Sequence, residues 1–189
     1  MNRFHQLLLC GSTAAFSWLA MQAVHECGHV LHAWMSGGTV TAVVLHPLAI
    51  SRSDVSPDPH PQFVAWGGPL WGSLIPLGIL ALVRWTRWSR AWLAKFFAGF
   101  CLIANGGYLL GGSLFPVGDA ERLIHSGAPR IALALFGIAA MAGGLYFWNG
   151  MGKHFGLGNE PAPIDKPAAW TISALTAIAI GAELIFSPQ

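Results

Sequence analysis

The sequence predicts an all-α polytopic membrane protein with about five transmembrane helices and one short β-hairpin after the first helix. Of the 189 residues, 54% are hydrophobic and only 10% are charged, whereas soluble domains carry about 25% charged residues. Five apolar runs are long enough to cross a bilayer, and one β-branched stretch interrupts them. The length allows a single integral membrane domain, residues 1–189, without a sizeable additional soluble domain.

The first predicted helix extends over residues 7–35 and ends at Gly37-Gly38. Arg3 followed by an apolar core is also typical of a secretory signal peptide. The run continues well past the normal length of a signal, however, so we expect it to be retained as a membrane helix. At ~1.5 Å per residue it exceeds the hydrocarbon thickness and should tilt or protrude. The other predicted helices extend over residues 63–83, 96–114, 130–148 and 168–186.

Residues 39–53 are rich in β-branched side chains that partly alternate along the chain, and Pro47 lies in the middle. This pattern predicts two short strands or a hairpin rather than a helix. His46 precedes the proline and is therefore expected to be extended. It is a candidate polar group near a functional site. The following residues, 54–61, form a polar, proline-rich loop.

The charged residues argue against a nucleic-acid partner. The net charge of +2 is small, and the basic residues lie in short segments rather than along one stripe. Residues 84–95 mix arginine with tryptophan, which predicts a basic loop at the level of the lipid headgroups. The positive-inside rule places this loop and Arg3 in the cytoplasm.

The first predicted helix contains the motif His25-Glu26-Cys27-Gly28-His29. Residues four apart lie on one face of a helix, so His25 and His29 can bind one zinc ion from the same side. Glu26 projects beside them, where it can take a proton from a water that the metal activates. Ionisable groups inside a bilayer cost about 2.5–3.5 kcal/mol each and are usually functional. The alternative is a set of polar side chains that hydrogen-bond between helices.

A catalytic zinc usually has three protein ligands, and two residues are candidates for the third. His32 shares a helix face with His25 and His29, but it lies about 10 Å along the axis from His25 at ~1.5 Å per residue. We therefore expect His32 to support a ligand, to gate the site, or simply to be a polar group near the end of the helix. Asp119 follows the third predicted helix, and alternating helices would bring it to the same membrane side as the two histidines. Taken alone, Asp119 is more often a helix cap or a loop acid.

Three elements of the sequence resemble the site-2 protease family of intramembrane zinc metalloproteases, peptidase family M50. They are the His-Glu-x-x-His motif, Gly68-Pro69 at the start of the second helix, and Pro-Val-Gly-Asp-Ala-Glu-Arg at 116–122. The likeness is greatest to compact bacterial members without a PDZ domain. It covers roughly residues 15–125. It implies that Asp119 is the third ligand of one zinc ion (Zn2+) per chain.

The resemblance also divides the predicted domain into two parts. Residues 7–125 are expected to form the metalloprotease core of three helices, and residues 126–189 add two accessory transmembrane helices. Within the core, residues 39–53 correspond to the membrane-associated β element against which substrates extend.

Several positions depart from the family pattern. Ala120 replaces the glycine that follows the aspartate, and Ser113 stands where an asparagine is expected. The polar residue usual after Gly-Pro in the second helix is replaced by Gly72-Ser73. Asn105, in the middle of the third predicted helix, is polar enough to need a partner. It is the candidate that would position the substrate instead.

The resemblance implies hydrolysis of peptide bonds in membrane-embedded or membrane-proximal protein substrates, with Glu26 as the general base. One alternative is a non-catalytic metal-binding or regulatory membrane protein that retains the protease fold. Another is a metal transporter, which is disfavoured because the last two predicted helices offer almost no polar residues to line a path.

The expected partners are the lipid bilayer, a protein substrate and a regulatory membrane protein. The expected location is the bacterial inner (cytoplasmic) membrane. The sequence does not decide on which side of the membrane the zinc site lies. The positive-inside rule places it opposite the basic loop, whereas the family resemblance favours a position near the cytoplasm.

Overall fold

A computed structural model describes residues 3–186 of the chain. Five of its helices are long and apolar enough to cross a membrane, which confirms the predicted multi-pass membrane fold. These five are α1 (Arg3–Met35), α2 (Pro61–Trp85), α3 (Ala91–Leu114), α5 (Arg130–Trp148) and α6 (Lys166–Phe186). The remaining elements are short: β1 (Val40–Val44), β2 (Arg52–Val55), α4 (Gly118–His125) and a 3₁₀ helix (Met151–Phe155).

The α2–α3 connection corrects one expectation. Residues 84–95 were predicted to be a loop, but α2 continues through Trp85 and α3 begins at Ala91, so only residues 86–90 connect them. A helix satisfies its own backbone hydrogen bonds, so it can continue into the headgroup region although its side chains become polar there. The short helix α4 was not predicted, and Asp119 lies in its first turn rather than in a loop.

The β-hairpin forms as predicted after the first helix. β1 and β2 pair antiparallel, with Val43 opposite Ser53 and Val44 opposite Arg52. An irregularity lies between Val40 and Ala42. The hairpin packs against α1, so one strand can present side chains to that helix.

Small residues set how closely the long helices approach. Gly28 of α1 and Gly67 of α2 lie at the crossing of these helices, where a Cβ on either glycine would collide with the backbone carbonyl of the other. Gly106 of α3 and Gly137 of α5 make a similar close contact. Glycine permits such approach because it has no side chain to exclude the neighbouring backbone. The α1–α2 contact holds the α1 motif directly against the start of α2.

The bundle has two chemically different ends. At one end, which we call the basic end, α1 begins and α2 passes into α3. The side-chain Nε2 of Gln6 donates hydrogen bonds to Phe155 O and Gly156 O there, both at 3.0 Å, and so attaches the 3₁₀ helix. At the other end, which we call the site end, the hairpin packs against the carboxyl-terminal half of α1, and α4 packs against α2 and α3.

Candidate metal and catalytic site

Three side chains converge at the site end. The Nε2 atoms of His25 and His29, both buried on α1, are 3.1 Å apart. Asp119 Oδ2, from α4, lies 2.9 Å from the first of these nitrogens and 3.2 Å from the second. Ligands bound tetrahedrally at about 2.0–2.1 Å from a zinc ion are separated by roughly 3.3 Å. The triangle of atoms therefore has nearly the dimensions of one face of a zinc tetrahedron.

The hydrogen bonds of the two histidines determine which nitrogen is free. His29 Nδ1 lies 2.8 Å from Val64 O, and a carbonyl oxygen can only accept, so Nδ1 carries the proton. His25 Nδ1 lies 2.6 Å from Asn105 Oδ1, and the amide of Asn105 donates from Nδ2 to Cys101 O at 2.9 Å. Both Nε2 atoms are then left with lone pairs that point at Asp119. Three acceptors this close together could serve as the donor set of a cation.

Gly68 of α2 provides the space beside these atoms. A Cβ at this position would collide with the Nε2 atoms of both His25 and His29. Pro69, next along α2, is almost fully buried. Glycine at position 68 therefore leaves free a space beside both Nε2 atoms that any larger residue would fill.

Asp119 is held in place from two directions. Its backbone N–H donates to Tyr108 Oη at 2.9 Å, and Arg122, one turn along α4, forms a 2.9 Å ion pair with Asp58. Burial alone would raise the pKa of the Asp119 carboxyl. When a proton and not a metal occupies Nε2 of His25 or His29, the hydrogen bonds and charges of these histidines outweigh burial and hold the pKa of Asp119 well below its usual range. The carboxylate form, which a metal requires, is thus the favoured one.

Glu26 is held by the hairpin. Its side chain is only 2% exposed, and its ligand atoms lie within 4.8 Å of those of His25 and His29. Ser51 Oγ donates to Glu26 Oε1 and Ser53 Oγ donates to Glu26 Oε2, each at 2.6 Å. The two serines are two residues apart, so on an extended strand they face the same side. Sequence reasoning missed them, although this i, i+2 spacing was available as a signal.

Gln22 lies one helical turn before Glu26 on α1 and faces the same space. Its Oε1 accepts a hydrogen bond from Ser51 N at 2.9 Å. Its Nε2 is buried and, within residues 3–186, has no hydrogen-bond partner. A cavity of about 440 Å³ is lined by Gln22, His25, Glu26, His29, residues of β2 and Asp119.

His32 and His46 lie outside this cavity. His32 Nδ1 donates to Phe63 O at 2.6 Å, and Trp71 Nε1 donates to His32 Nε2 at 3.0 Å. Both ring nitrogens are therefore occupied, and His32 connects α1 to α2 instead of supporting a ligand or gating the cavity. His46, expected near the site, lies between β1 and β2, where its Nδ1 accepts from Leu48 N at 3.2 Å.

The positions that depart from the family pattern have structural partners of their own. Asn105 contacts His25 rather than standing free for a substrate. Ser113 Oγ donates to Leu110 O at 2.7 Å within its own helix. Ala120 is fully buried, and its methyl group occupies the space that a side chain on Gly112 would need.

Comparison with known proteins identifies the family. A family model described as Peptidase M50B-like matches residues 4–105, more than half of the chain. The matched range contains the motif of α1, Gly68 and Asn105 but ends before Asp119. Comparisons with curated proteins and with solved structures find no match. The chain therefore belongs to the Peptidase M50B-like family, within the site-2 protease group of metallopeptidases.

Proposed function

We propose that this protein is an intramembrane zinc metalloprotease that hydrolyses peptide bonds in membrane-embedded or membrane-proximal proteins. The observation that carries the proposal is the convergence of His25 Nε2, His29 Nε2 and Asp119 Oδ2, with the Glu26 carboxylate adjacent. These groups lie inside a bundle of membrane-spanning helices and beside a cavity. Family membership supports the same reaction class.

His25, His29 and Asp119 would hold the metal. A zinc ion bound there would act as a Lewis acid that polarises the scissile carbonyl and lowers the pKa of a water. Glu26 takes a proton from the attacking water as its oxygen forms a bond to the carbonyl carbon. Glu26 then returns the proton to the amine nitrogen as the C–N bond breaks.

Ser51 and Ser53 position Glu26 for both proton transfers. Each carboxylate oxygen has two lone pairs, and each accepts one serine hydroxyl. One lone pair per oxygen is left to receive the proton. The serines also supply hydrogen bonds to a carboxylate that burial would otherwise destabilise. This arrangement favours catalysis over a purely metal-binding role, because a binding site has no need of an oriented base beside its ligands.

The substrate would lie extended beside β2. A peptide bond within an intact helix is shielded by its own backbone, so a transmembrane substrate has to unwind locally. Residues 51–54 of the hairpin line the cavity, and a peptide that adds to a strand gains main-chain hydrogen bonds. We assign the unpartnered Nε2 of Gln22 to a carbonyl oxygen of that peptide.

The test compares wild type with Glu26→Gln. Each protein is co-expressed with a set of tagged single-span membrane proteins, and the purified enzymes are analysed for zinc. We expect wild type to cleave at least one of these proteins and to contain about one zinc per chain. Glu26→Gln should keep the zinc and lose about 10²–10⁴-fold in cleavage rate. Cleavage by Glu26→Gln at the wild-type rate would falsify this mechanism.

A parallel variant tests the third ligand. Asp119→Ala should lose zinc, whereas Asp165→Ala, which removes a carboxylate paired with Arg90 at the basic end, should retain it. Unchanged zinc content in Asp119→Ala would assign the third ligand elsewhere. Wild-type protein that contains zinc but cleaves none of the co-expressed proteins would favour the non-catalytic regulatory function.

A further inference from the structure

We propose that the basic end carries a binding site for a phosphate group, such as the phosphodiester of an anionic lipid. The site is a pocket of about 310 Å³ formed where α2 ends, α3 begins and α5 passes into the 3₁₀ helix. Its polar lining comes chiefly from Arg84, Lys95, Lys153 and His154, with the ring of Trp92 as an aromatic wall. We call it the basic pocket.

The positive charge of the basic pocket is not neutralised by the protein. Among residues 3–186, no carboxylate lines the pocket, and no ion pair engages Arg84, Lys95 or Lys153. Arg90 nearby differs, because it forms a bidentate pair with Asp165 at 2.6 and 3.1 Å. Like charges that converge on one cavity repel each other, and a bound anion would relieve this repulsion.

The pKa of His154 reflects the positive charges around the basic pocket. Burial, together with the charges of Lys153 and Lys95, holds the pKa of His154 below its ordinary value. The two lysines, from segments far apart in sequence, are therefore close enough to act on the same imidazole. A His154 that stays neutral can still donate one N–H to an anion while the permanent cations supply the charge.

The pocket is also fixed in shape. The ring of Trp92 stacks on His154 with 5.0 Å between centroids and 1° between planes, and it packs edge-on against Phe155. Gln6 holds the backbone at the end of the 3₁₀ helix. The first residues of α3 also line the pocket, and the amino-terminal end of a helix of this length favours negative charge.

The position of the pocket favours a lipid as the source of the phosphate. It lies at the ends of membrane-spanning helices, where headgroups lie. Trp85 and Leu157, at the same end, are well exposed to the surroundings and can contact acyl chains or the interface. Several cations around one site suit a phosphate, whose oxygens accept charge-assisted hydrogen bonds from more than one direction.

The experiment uses the full chain purified in an uncharged detergent. Binding is measured by titration calorimetry with three probes: dihexanoyl-phosphatidylglycerol, dihexanoyl-phosphatidylcholine and inorganic phosphate. We expect saturable binding of phosphatidylglycerol that is at least about tenfold tighter than that of phosphatidylcholine. The double variant Lys95→Gln/Lys153→Gln should weaken it about tenfold or more. Arg87→Gln, in the connection between α2 and α3 but outside the pocket, should bind phosphatidylglycerol as tightly as wild type.

The probes also distinguish the source of the phosphate. Tight binding of inorganic phosphate that the double variant abolishes would assign the pocket to free phosphate. Binding of phosphatidylglycerol alone would assign it to lipid. No saturable binding of either anion, or equal binding by wild type and the double variant, would overturn the proposal. Equal zinc content in all variants checks that each is folded.

Discussion

The two halves of α1 have the same conformation but very different neighbours. In the amino-terminal half, Leu9 is fully buried among apolar side chains that include Phe155, Ala168 and Ala169. One polar contact to α6 there is the hydroxyl of Thr176, 3.2 Å from Ser12 O. In the carboxyl-terminal half, the buried side chains include His25, Glu26, His29 and His32.

The difference shows what a bilayer demands of a buried polar side chain. Each of the four ionisable residues finds its partner on another segment: Asn105 for His25, the Val64 carbonyl for His29, Ser51 and Ser53 for Glu26, and the Phe63 carbonyl for His32. An unpartnered group at this depth would be costly. The amino-terminal half makes a smaller demand, because its buried residues, which are Leu9, Thr13, Ser17 and Leu19, carry at most a neutral hydroxyl and none of them is ionisable.

Among the variants that test the difference between the two halves of α1, Gly68→Ala is expected to have the largest effect. The added methyl group would occupy the space beside the two Nε2 atoms, so zinc content should fall to near zero and activity to below about 1% of wild type. Gly78→Ala is the matched control, because it lies on the same helix and a Cβ there meets no atom within 4 Å. Full zinc content in Gly68→Ala would show that the metal does not lie between His25 and His29.

A smaller effect is expected from Ser51→Ala/Ser53→Ala. Loss of both hydroxyls would free the Glu26 carboxylate to rotate, so kcat should fall about 10–100-fold, as for other residues that orient a catalytic group. KM and zinc content should change little. The double variant Ser51→Thr/Ser53→Thr keeps both hydroxyls and should recover most of the activity. If the alanine variant loses zinc and KM rises instead, the serines serve the fold of the hairpin and do not position Glu26.

The smallest effect is expected from Thr176→Val at the other half of α1. It removes one hydroxyl near Ser12 O, and interhelical hydrogen bonds in membranes average about 0.6 kcal/mol. Unfolding in mixed detergent micelles should detect a loss of that size or less. Zinc content and kcat should be unchanged. A loss of zinc in Thr176→Val would mean that the two halves of α1 are energetically coupled.

The features that sequence analysis predicted depend on short-range patterns. Apolar run length predicted the five spans, with α5 matching residues 130–148, and the four-residue spacing predicted that His25 and His29 share a face. The features it missed depend on chain segments that meet only in the fold. Residue type alone does not predict that Ser51 or the Val64 carbonyl contacts α1. The eight residues of α4 are too few to give a clear helical period.

The separation of Asp119 from the histidines has a consequence for biogenesis. Asp119 lies 90 residues after His29 along the chain, and three membrane-spanning helices separate the amino terminus from α4. A ribosome adds about 5–20 residues per second, so seconds pass between synthesis of the first two ligands and synthesis of the third. With Asp119 as the third ligand, the nascent chain stays inactive throughout that interval. On the proposed function, the membrane would therefore receive a protease that becomes competent only after its core helices have been made.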